Sequence, residues 1–239
     1  MCRMIGAVGR FDLETLKSGL RDMALNRNPA YEHEHRRRGE GLRHDCGWGA
    51  AFVTGDGLLV HRSTTACFDD ASFDALACED VRVAVLHARR NRDRGTIALE
   101  NTHPFVATWR DLEHAFFHNG EVKDREQLTY ERRFKPRGTA DSEELFFHVL
   151  SRFDPDTPLS SLKTALSGIT DFTCLNSLLV SGDRLFAYAG MAGGTPYPRY
   201  YTLWRSRTGD ADVVSSEPIA LEGADWKPVE DGRVLRLGD

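Results

Sequence analysis

The second residue of the chain is a cysteine, Cys2. A small residue in this position normally allows removal of the initiator methionine, which would leave a thiol and a free α-amine on one residue. The thiolate is the nucleophilic form of cysteine, and an α-amine has a usual pKa of about 7.7–8.0, so it can act as a base near neutral pH. Because a nucleophile that carries its own base is already activated, Cys2 is the first candidate for covalent catalysis.

Four other residues offer complementary chemistry at predicted strand ends and at a predicted helix start, where a rigid scaffold usually positions function. The Asn119 side-chain amide and the Gly120 backbone N–H can donate hydrogen bonds to an oxyanion. Arg89 offers a planar fork for a carboxylate, and Asp141 a carboxylate for an ammonium group. Each also has a plain structural interpretation: Asn-Gly is typical of turns, an aspartate at a helix start typically caps it, and most arginines in a basic run are solvated.

A histidine, His103, stands before Pro104 in the segment Glu100-Asn101-Thr102-His103-Pro104-Phe105. A histidine in this context is usually structural. Because it lies among the other polar segments, we count His103 with Arg89 and Asp141 as a substrate-binding candidate.

The elements that must position these residues alternate between strands and helices. Asp12 can cap a helix to about Leu25, and Asp141 starts a second helix with Glu144 placed as in a capping box. Thr157-Pro158 begins a third helix that runs to about Ile169. Strands are predicted over 4–8, 49–54, 58–62, 81–86, 113–118, 175–180, 185–189, 200–204, 213–215 and 234–237. The pattern indicates one α+β domain over 1–239 with antiparallel sheets.

Composition narrows the function class. The chain has 31 basic and 36 acidic residues and a formal charge of −5, which argues against a general nucleic-acid binder. Its five cysteines are widely and irregularly spaced, so we expect neither a disulfide framework nor a zinc ribbon. No apolar run approaches the ~20 residues of a membrane span, and no secretory leader is evident. We expect a cytoplasmic protein without a membrane association.

A histidine-rich stretch follows the first helix, with His33, His35 and His44 near Glu32 and Glu34. These side chains could ligate a metal. A His-x-His pair in a polar loop beside three arginines is more typical of a solvated surface, so we predict no metal site and no cofactor.

The order of the short segments is more specific than any of them alone. Cys2-Arg3, His87-Ala88-Arg89, Asn-Thr-His-Pro-Phe, His-Asn-Gly-x-Val and Asp141-Ser-Glu occur in the order seen in class II glutamine amidotransferases, and the chain resembles the small stand-alone bacterial members of that family. The similarity extends to Gly47-Trp48-Gly49 and to Val214-Ser-Ser-Glu-Pro218 with Trp226, so it covers nearly the whole chain.

The resemblance implies an N-terminal-nucleophile hydrolase with a four-layer αββα sandwich of two stacked antiparallel sheets. It implies that Cys2 is the nucleophile and its amine the base. By the same resemblance Arg89 and Asp141 hold the α-carboxylate and α-ammonium of glutamine, and Asn119 and Gly120 form the oxyanion hole.

Two departures from the family pattern concern the expected substrate pocket. The stretch Asn91–Arg94 replaces a small residue and Thr or Ser after His-x-Arg, and Gly95 lies eight rather than seven positions after His87. An acidic residue usually precedes Gly-Trp-Gly, and here it is Cys46.

Three functions stay open. The first is hydrolysis of L-glutamine through a γ-glutamyl thioester, with the ammonia passing to a synthase partner that this chain is too short to contain. The second is hydrolysis of a γ-glutamyl amide of a larger molecule, as in ergothioneine-type biosynthesis, which the Asn91–Arg94 stretch slightly favours. The third is a non-catalytic module that senses glutamine, against which the nucleophile at Cys2 argues.

Overall fold

The computed structural model describes residues 2–239, and its strands form two sheets. The strands are β1 (Arg3–Gly9), β2 (Trp48–Thr54), β3 (Gly57–Ser63), β4 (Val83–Ala88), β5 (Phe105–Trp109), β6 (Leu112–Val122), β7 (Phe172–Ser181), β8 (Arg184–Tyr188), β9 (Trp204–Thr208), β10 (Ala211–Ser215), β11 (Lys227–Pro228) and β12 (Val234–Arg236). The helices are α1 (Leu13–Ala24), α2 (Glu34–Arg37), α3 (Ala71–Asp74), α4 (Asp141–Leu150), α5 (Pro158–Ser167) and α6 (Pro198–Tyr201).

Both sheets are antiparallel. The seven-stranded sheet has the order β11-β9-β10-β1-β4-β2-β3, and the five-stranded sheet has the order β12-β8-β7-β6-β5. The N-terminal strand β1 therefore lies between β10 and β4, inside the larger sheet. This central position fixes the start of the chain against two neighbours.

Alternation along β1 shows how the layers form. Successive side chains of a strand point to opposite faces, and Met4 belongs to the apolar cluster between the two sheets while Ile5 belongs to the cluster under α1. The inter-sheet cluster includes Phe117 and Leu178 from the smaller sheet. Burial on both faces makes β1 an apolar run.

Helices cover the outer faces of both sheets. Asp12 caps α1, accepting hydrogen bonds from the backbone N–H of Glu14 and Thr15 at 3.3 and 2.9 Å, and Leu16 and Leu20 pack on the larger sheet. On the other side α4 and α5 pack on the smaller sheet, with Phe146 stacked on Phe116 of β6. The predicted four-layer αββα sandwich is confirmed.

Several sequence expectations differ from the structure. The strand predicted over 200–204 is wrong: Pro198 begins the short helix α6, and the strand starts only at Trp204. The strand predicted over 113–118 extends to Val122, so Asn119 and Gly120 lie inside β6. Within residues 2–239, no helix combines the length and hydropathy needed to cross a membrane.

Candidate functional site

Cys2 directly precedes β1, at the end of the strand where the chain enters the larger sheet. Arg3, the next residue, pairs with Ala88 at the end of β4. The Cys2 Sγ accepts a hydrogen bond from the backbone N–H of Arg90 at 3.4 Å, and the thiol also faces the Arg90 carbonyl oxygen at 3.8 Å. Cys2 is only 8% exposed. The thiol is thus held against the backbone that directly follows Arg89.

A single hydroxyl connects this strand to the opposite sheet. The Ser216 Oγ accepts hydrogen bonds from the Met4 backbone N–H at 3.0 Å and from the Asn119 Nδ2 at 2.9 Å. Ser216 is buried, and its own backbone N–H donates to the Met4 carbonyl oxygen at 3.0 Å. The strand that follows Cys2 and the predicted oxyanion donor Asn119 therefore share one acceptor.

Gly120 sits at a point where two strands approach closely. Its φ is +150°, and a Cβ added there would lie 1.7 Å from the Cys174 carbonyl oxygen, so only glycine fits. The register of β6 against β7 shifts between Gly120 and Val122. Such a bulge re-aims the local backbone, which makes this Asn-Gly pair a feature of a strand and not the turn that the dipeptide usually marks.

Arg89 is buried at the end of β4, and only half of its guanidinium is occupied. Its Nη2 donates to the Thr96 carbonyl oxygen and hydroxyl at 3.3 and 3.2 Å. Its Nη1 has no hydrogen-bond partner among residues 2–239. The free end of the fork can take a carboxylate oxygen.

The segment between β4 and β5 links Arg89 to the start of α4. The Asn101 Nδ2 donates to the Thr96 carbonyl oxygen at 3.0 Å. The Asn101 Oδ1 accepts from the backbone N–H of Thr139 and Ala140 at 2.7 and 3.0 Å. Arg89 and the residue before Asp141 are therefore held by the same short chain of hydrogen bonds.

Asp141 is not the N-cap of α4. The N-cap is Ala140, which makes no side-chain cap, and Asp141 is the first helical residue. The Asp141 Oδ2 instead accepts from the Val122 backbone N–H at 2.7 Å, which ties α4 to β6 just beyond Gly120. The capping box expected from Glu144 is wrong for this reason, since Glu144 pairs with Arg125 at 2.7 Å.

His103 lies in a buried group of histidines. Its ring centroid is 4.2 Å from that of His87 on β4, and the His103–Pro104 peptide bond is cis. Burial lowers the pKa of His103 well below its usual range and that of His87 to about 3. Nearby His118 faces the Ser142 hydroxyl at 2.9 Å and the Cys174 carbonyl at 3.0 Å. These rings form a buried aromatic cluster next to Asn119 and Arg89.

The two departures from the family pattern contact each other. The Cys46 Sγ accepts from the Asn91 backbone N–H at 3.2 Å and faces the Asn91 carbonyl oxygen at 3.5 Å. Arg94 reaches back to Cys46 Sγ at 3.7 Å and to Asp45 at 2.6 Å. The altered stretch is thus attached to the altered residue before Gly-Trp-Gly.

The histidine-rich stretch is not the solvated surface that its sequence suggests. His33 is buried with its Nε2 3.4 Å from Glu217, and His44 is buried as well. Glu217 also pairs with buried Arg3 at 3.0 Å and lies 3.4 Å from Arg36. The stretch is held by this buried carboxylate, and no cluster of three metal-ligating side chains occurs among residues 2–239.

Sequence reasoning missed three residues that organise the site: Ser216, Thr96 and Asn101. Ser216 and Asn101 each lie within a segment that carried the family resemblance, yet a serine or asparagine forms such links in many contexts. Their roles depend on contacts between distant parts of the chain, which local patterns do not report.

Comparison with known proteins decides the family. A family model described as class II glutamine amidotransferases matches residues 28–197. This chain belongs to the class II glutamine amidotransferases. The match begins after Cys2, so the family assignment does not rest on that residue.

Two similar sequences come from different organisms. An uncharacterized protein of Methanocaldococcus jannaschii is 27% identical over 224 residues, which cover 80% of this chain and 61% of that protein. YafJ of Escherichia coli, whose name assigns it to the glutamine amidotransferases, is 28% identical over 155 residues. This match covers 61% of this chain and 60% of YafJ. The chain thus spans about 60% of the length of these two relatives.

Solved structures share the fold. The glutamine phosphoribosylpyrophosphate amidotransferase of B. subtilis matches with a TM-score of 0.70 and 19% identity, over 100% of this chain and 47% of that one. A class II domain protein of Silicibacter pomeroyi matches with a TM-score of 0.62 and 20% identity, over 100% and 95% of the two chains. Because both identities are at or below 20%, the similarity shows the shared fold alone.

The buried histidines predict acid sensitivity. Burial lowers the pKa values of four histidines in the folded protein: His44, His87, His103 and His118. In the unfolded chain each of them takes up a proton near about pH 6.5. Because the unfolded state then binds more protons, the free energy of unfolding should fall between pH 7 and pH 5. The slope is at most about 1.4 kcal/mol per pH unit for each histidine. Urea unfolding at pH 7, 6 and 5 measures it, and a constant free energy would contradict this assignment.

Removing the shared acceptor should destabilise the fold. In Ser216→Ala the Met4 N–H and the Asn119 amide each lose a buried partner, so we expect the free energy of unfolding to fall by about 1–3 kcal/mol. Ser177→Ala is the matched control, since the buried Ser177 hydroxyl makes only a local bond to the Leu175 carbonyl oxygen. Equal losses in the two variants, measured by urea unfolding, would remove the special role of Ser216.

Proposed function

We propose that this amidotransferase hydrolyses the side-chain amide of L-glutamine with Cys2 as the nucleophile. The proposal rests mainly on the contact between the Cys2 Sγ and the Arg90 N–H. Arg90 directly follows Arg89, whose Nη1 is buried without a partner among residues 2–239. Family membership supports the choice of glutamine. The proposal requires removal of Met1, which lies outside the described residues.

The reaction is written in two steps. The Cys2 Sγ attacks the carbonyl carbon of the side-chain amide, while the α-amine takes the thiol proton and passes it to the leaving nitrogen. The C–N bond breaks, ammonia leaves, and a γ-glutamyl thioester remains. Water then attacks the thioester carbonyl, which releases glutamate and restores the thiol.

The surrounding residues are proposed to bind glutamine and its transition state. Asn119 and Gly120 would donate to the oxyanion, and the bond from Asn119 to Ser216 would hold the amide in place. The free arm of Arg89 would pair with the α-carboxylate, and Asp141 with the α-ammonium. His103, buried and neutral, would form part of the wall of the binding site.

A second candidate keeps the glutamyl half of the substrate and changes the leaving group. The stretch Asn91–Arg94 departs from the family pattern and is fixed through Cys46 and Asp45 next to the thiol-binding backbone. This observation favours a γ-glutamyl amide larger than glutamine. If glutamine is the substrate, the ammonia would pass to a partner synthase.

The first experiment compares glutamate release from L-glutamine by the wild type and by Cys2→Ala. We expect release by the wild type and none by the variant, because the thioester cannot form. Cys67→Ala is the matched control, since Cys67 is a buried free cysteine in the layer between α1 and the larger sheet. Asn119→Ala should lower kcat by about 10²–10³-fold. Undiminished release by Cys2→Ala would contradict the mechanism, and glutamine binding without turnover in the wild type would favour a sensing module.

A further inference from the structure

Arg90 differs from the arginines around it. Its backbone contacts the Cys2 thiol through both the N–H and the carbonyl oxygen. Arg90 is half-buried as a residue, and its guanidinium makes no hydrogen bond or ion pair with residues 2–239, whereas Arg89 is bound by Thr96 and Arg94 by Asp45. An unpaired cation is therefore carried by the residue that holds the nucleophile.

The charge of Arg90 also acts on two buried groups near the backbone that contacts the thiol. Burial raises the pKa of the Tyr200 hydroxyl, and the positive charges of Arg3 and Arg90 oppose that rise, while the charge of Cys2 adds to it. Burial lowers the pKa of His44, and Arg3 and Arg90 lower it further. Cys2, Arg90, Tyr200 and His44 therefore lie within one another's electrostatic field.

Two of the cations near Cys2, Arg89 and Arg90, have no carboxylate partner among the described residues. Arg3 is neutralised by Glu217, but the Nη1 of Arg89 and the whole guanidinium of Arg90 have no anionic partner among the described residues. A buried charge without a partner is costly, so the Nη1 of Arg89 favours a ligand that supplies the missing anion, and the half-buried Arg90 is free to pair with a second anion. Under the proposed function the glutamyl α-carboxylate accounts for Arg89, which leaves one cation beside the scissile amide.

We infer that Arg90 recognises an anion on the leaving group, so the preferred substrates are γ-glutamyl amides of amines that carry a carboxylate or a similar negative group. This inference rests on the proposed Cys2 mechanism and selects its second candidate substrate, a γ-glutamyl amide larger than glutamine. The bond changes stay the same: Cys2 forms the thioester, the γ-glutamyl C–N bond breaks, and the amine departs with the proton and its own anion. Water then releases glutamate.

The test uses two amides that differ in one charge, γ-glutamylglycine and γ-glutamylglycinamide. For the wild type we expect kcat/KM to be about 10–100-fold higher for γ-glutamylglycine, which corresponds to one hydrogen-bonded charge pair. Arg90→Gln should bring this ratio close to one, and Arg90→Lys should retain part of it. Arg92→Gln is the matched control, because Arg92 is exposed two residues further along and should keep the wild-type ratio.

The outcomes separate the two proposals. No hydrolysis of either amide or of L-glutamine by the wild type would overturn the proposed function itself. If the wild type hydrolyses both amides with a kcat/KM ratio near one, only the role of Arg90 is overturned. This comparison uses the wild type alone, so it does not depend on the folding of a variant. A ratio that Arg90→Gln leaves unchanged, or that Arg92→Gln lowers equally, would also overturn it.

Discussion

The Ser216 hydroxyl is the point on which the candidate site depends, because it accepts hydrogen bonds from both sheets at once. One bond comes from β1, two residues after Cys2, and the other from the Asn119 amide on β6. The two sheets are also joined by apolar contacts, which are not directional, and by a bond from the Leu58 N–H on β3 to the Glu113 carboxylate on β6 at 3.4 Å. A shared polar acceptor fixes the relative position of two strands in a way that apolar packing alone does not.

Close approaches of the backbone add to this constraint. Gly120 on β6 fits against the Cys174 carbonyl oxygen, and a Cβ at Gly49 on β2 would lie 1.8 Å from the His103 carbonyl oxygen. Arg3 and Glu217 form a buried ion pair beside Cys2, and Glu217 also holds the stretch that contains His33. The site is thus assembled by contacts between segments far apart in sequence, while its local elements are ordinary strands and helix ends.

The sequence predicts the elements well where a local pattern decides them. The apolar run of β1, the cap at Asp12 and the β2–β3 hairpin follow from residues that are neighbours in the chain. It fails where tertiary contacts decide. Asn119-Gly120 forms a bulged strand because β7 pairs with it, Asp141 binds the Val122 N–H instead of capping its helix, and His33 is buried by Glu217. The four-layer arrangement itself came from the family resemblance and not from periodicity.

The proposed mechanism requires the Cys2 thiol to lie in a glutamine-binding site. The most direct measurement is intact-mass and peptide analysis after treatment with 6-diazo-5-oxo-L-norleucine, a glutamine analogue with an electrophilic ketone in place of the amide. We expect one equivalent of the analogue on Cys2 of a chain that lacks Met1, and protection by excess L-glutamine or a γ-glutamyl amide. Modification elsewhere, or a retained Met1 in an active protein, would contradict it.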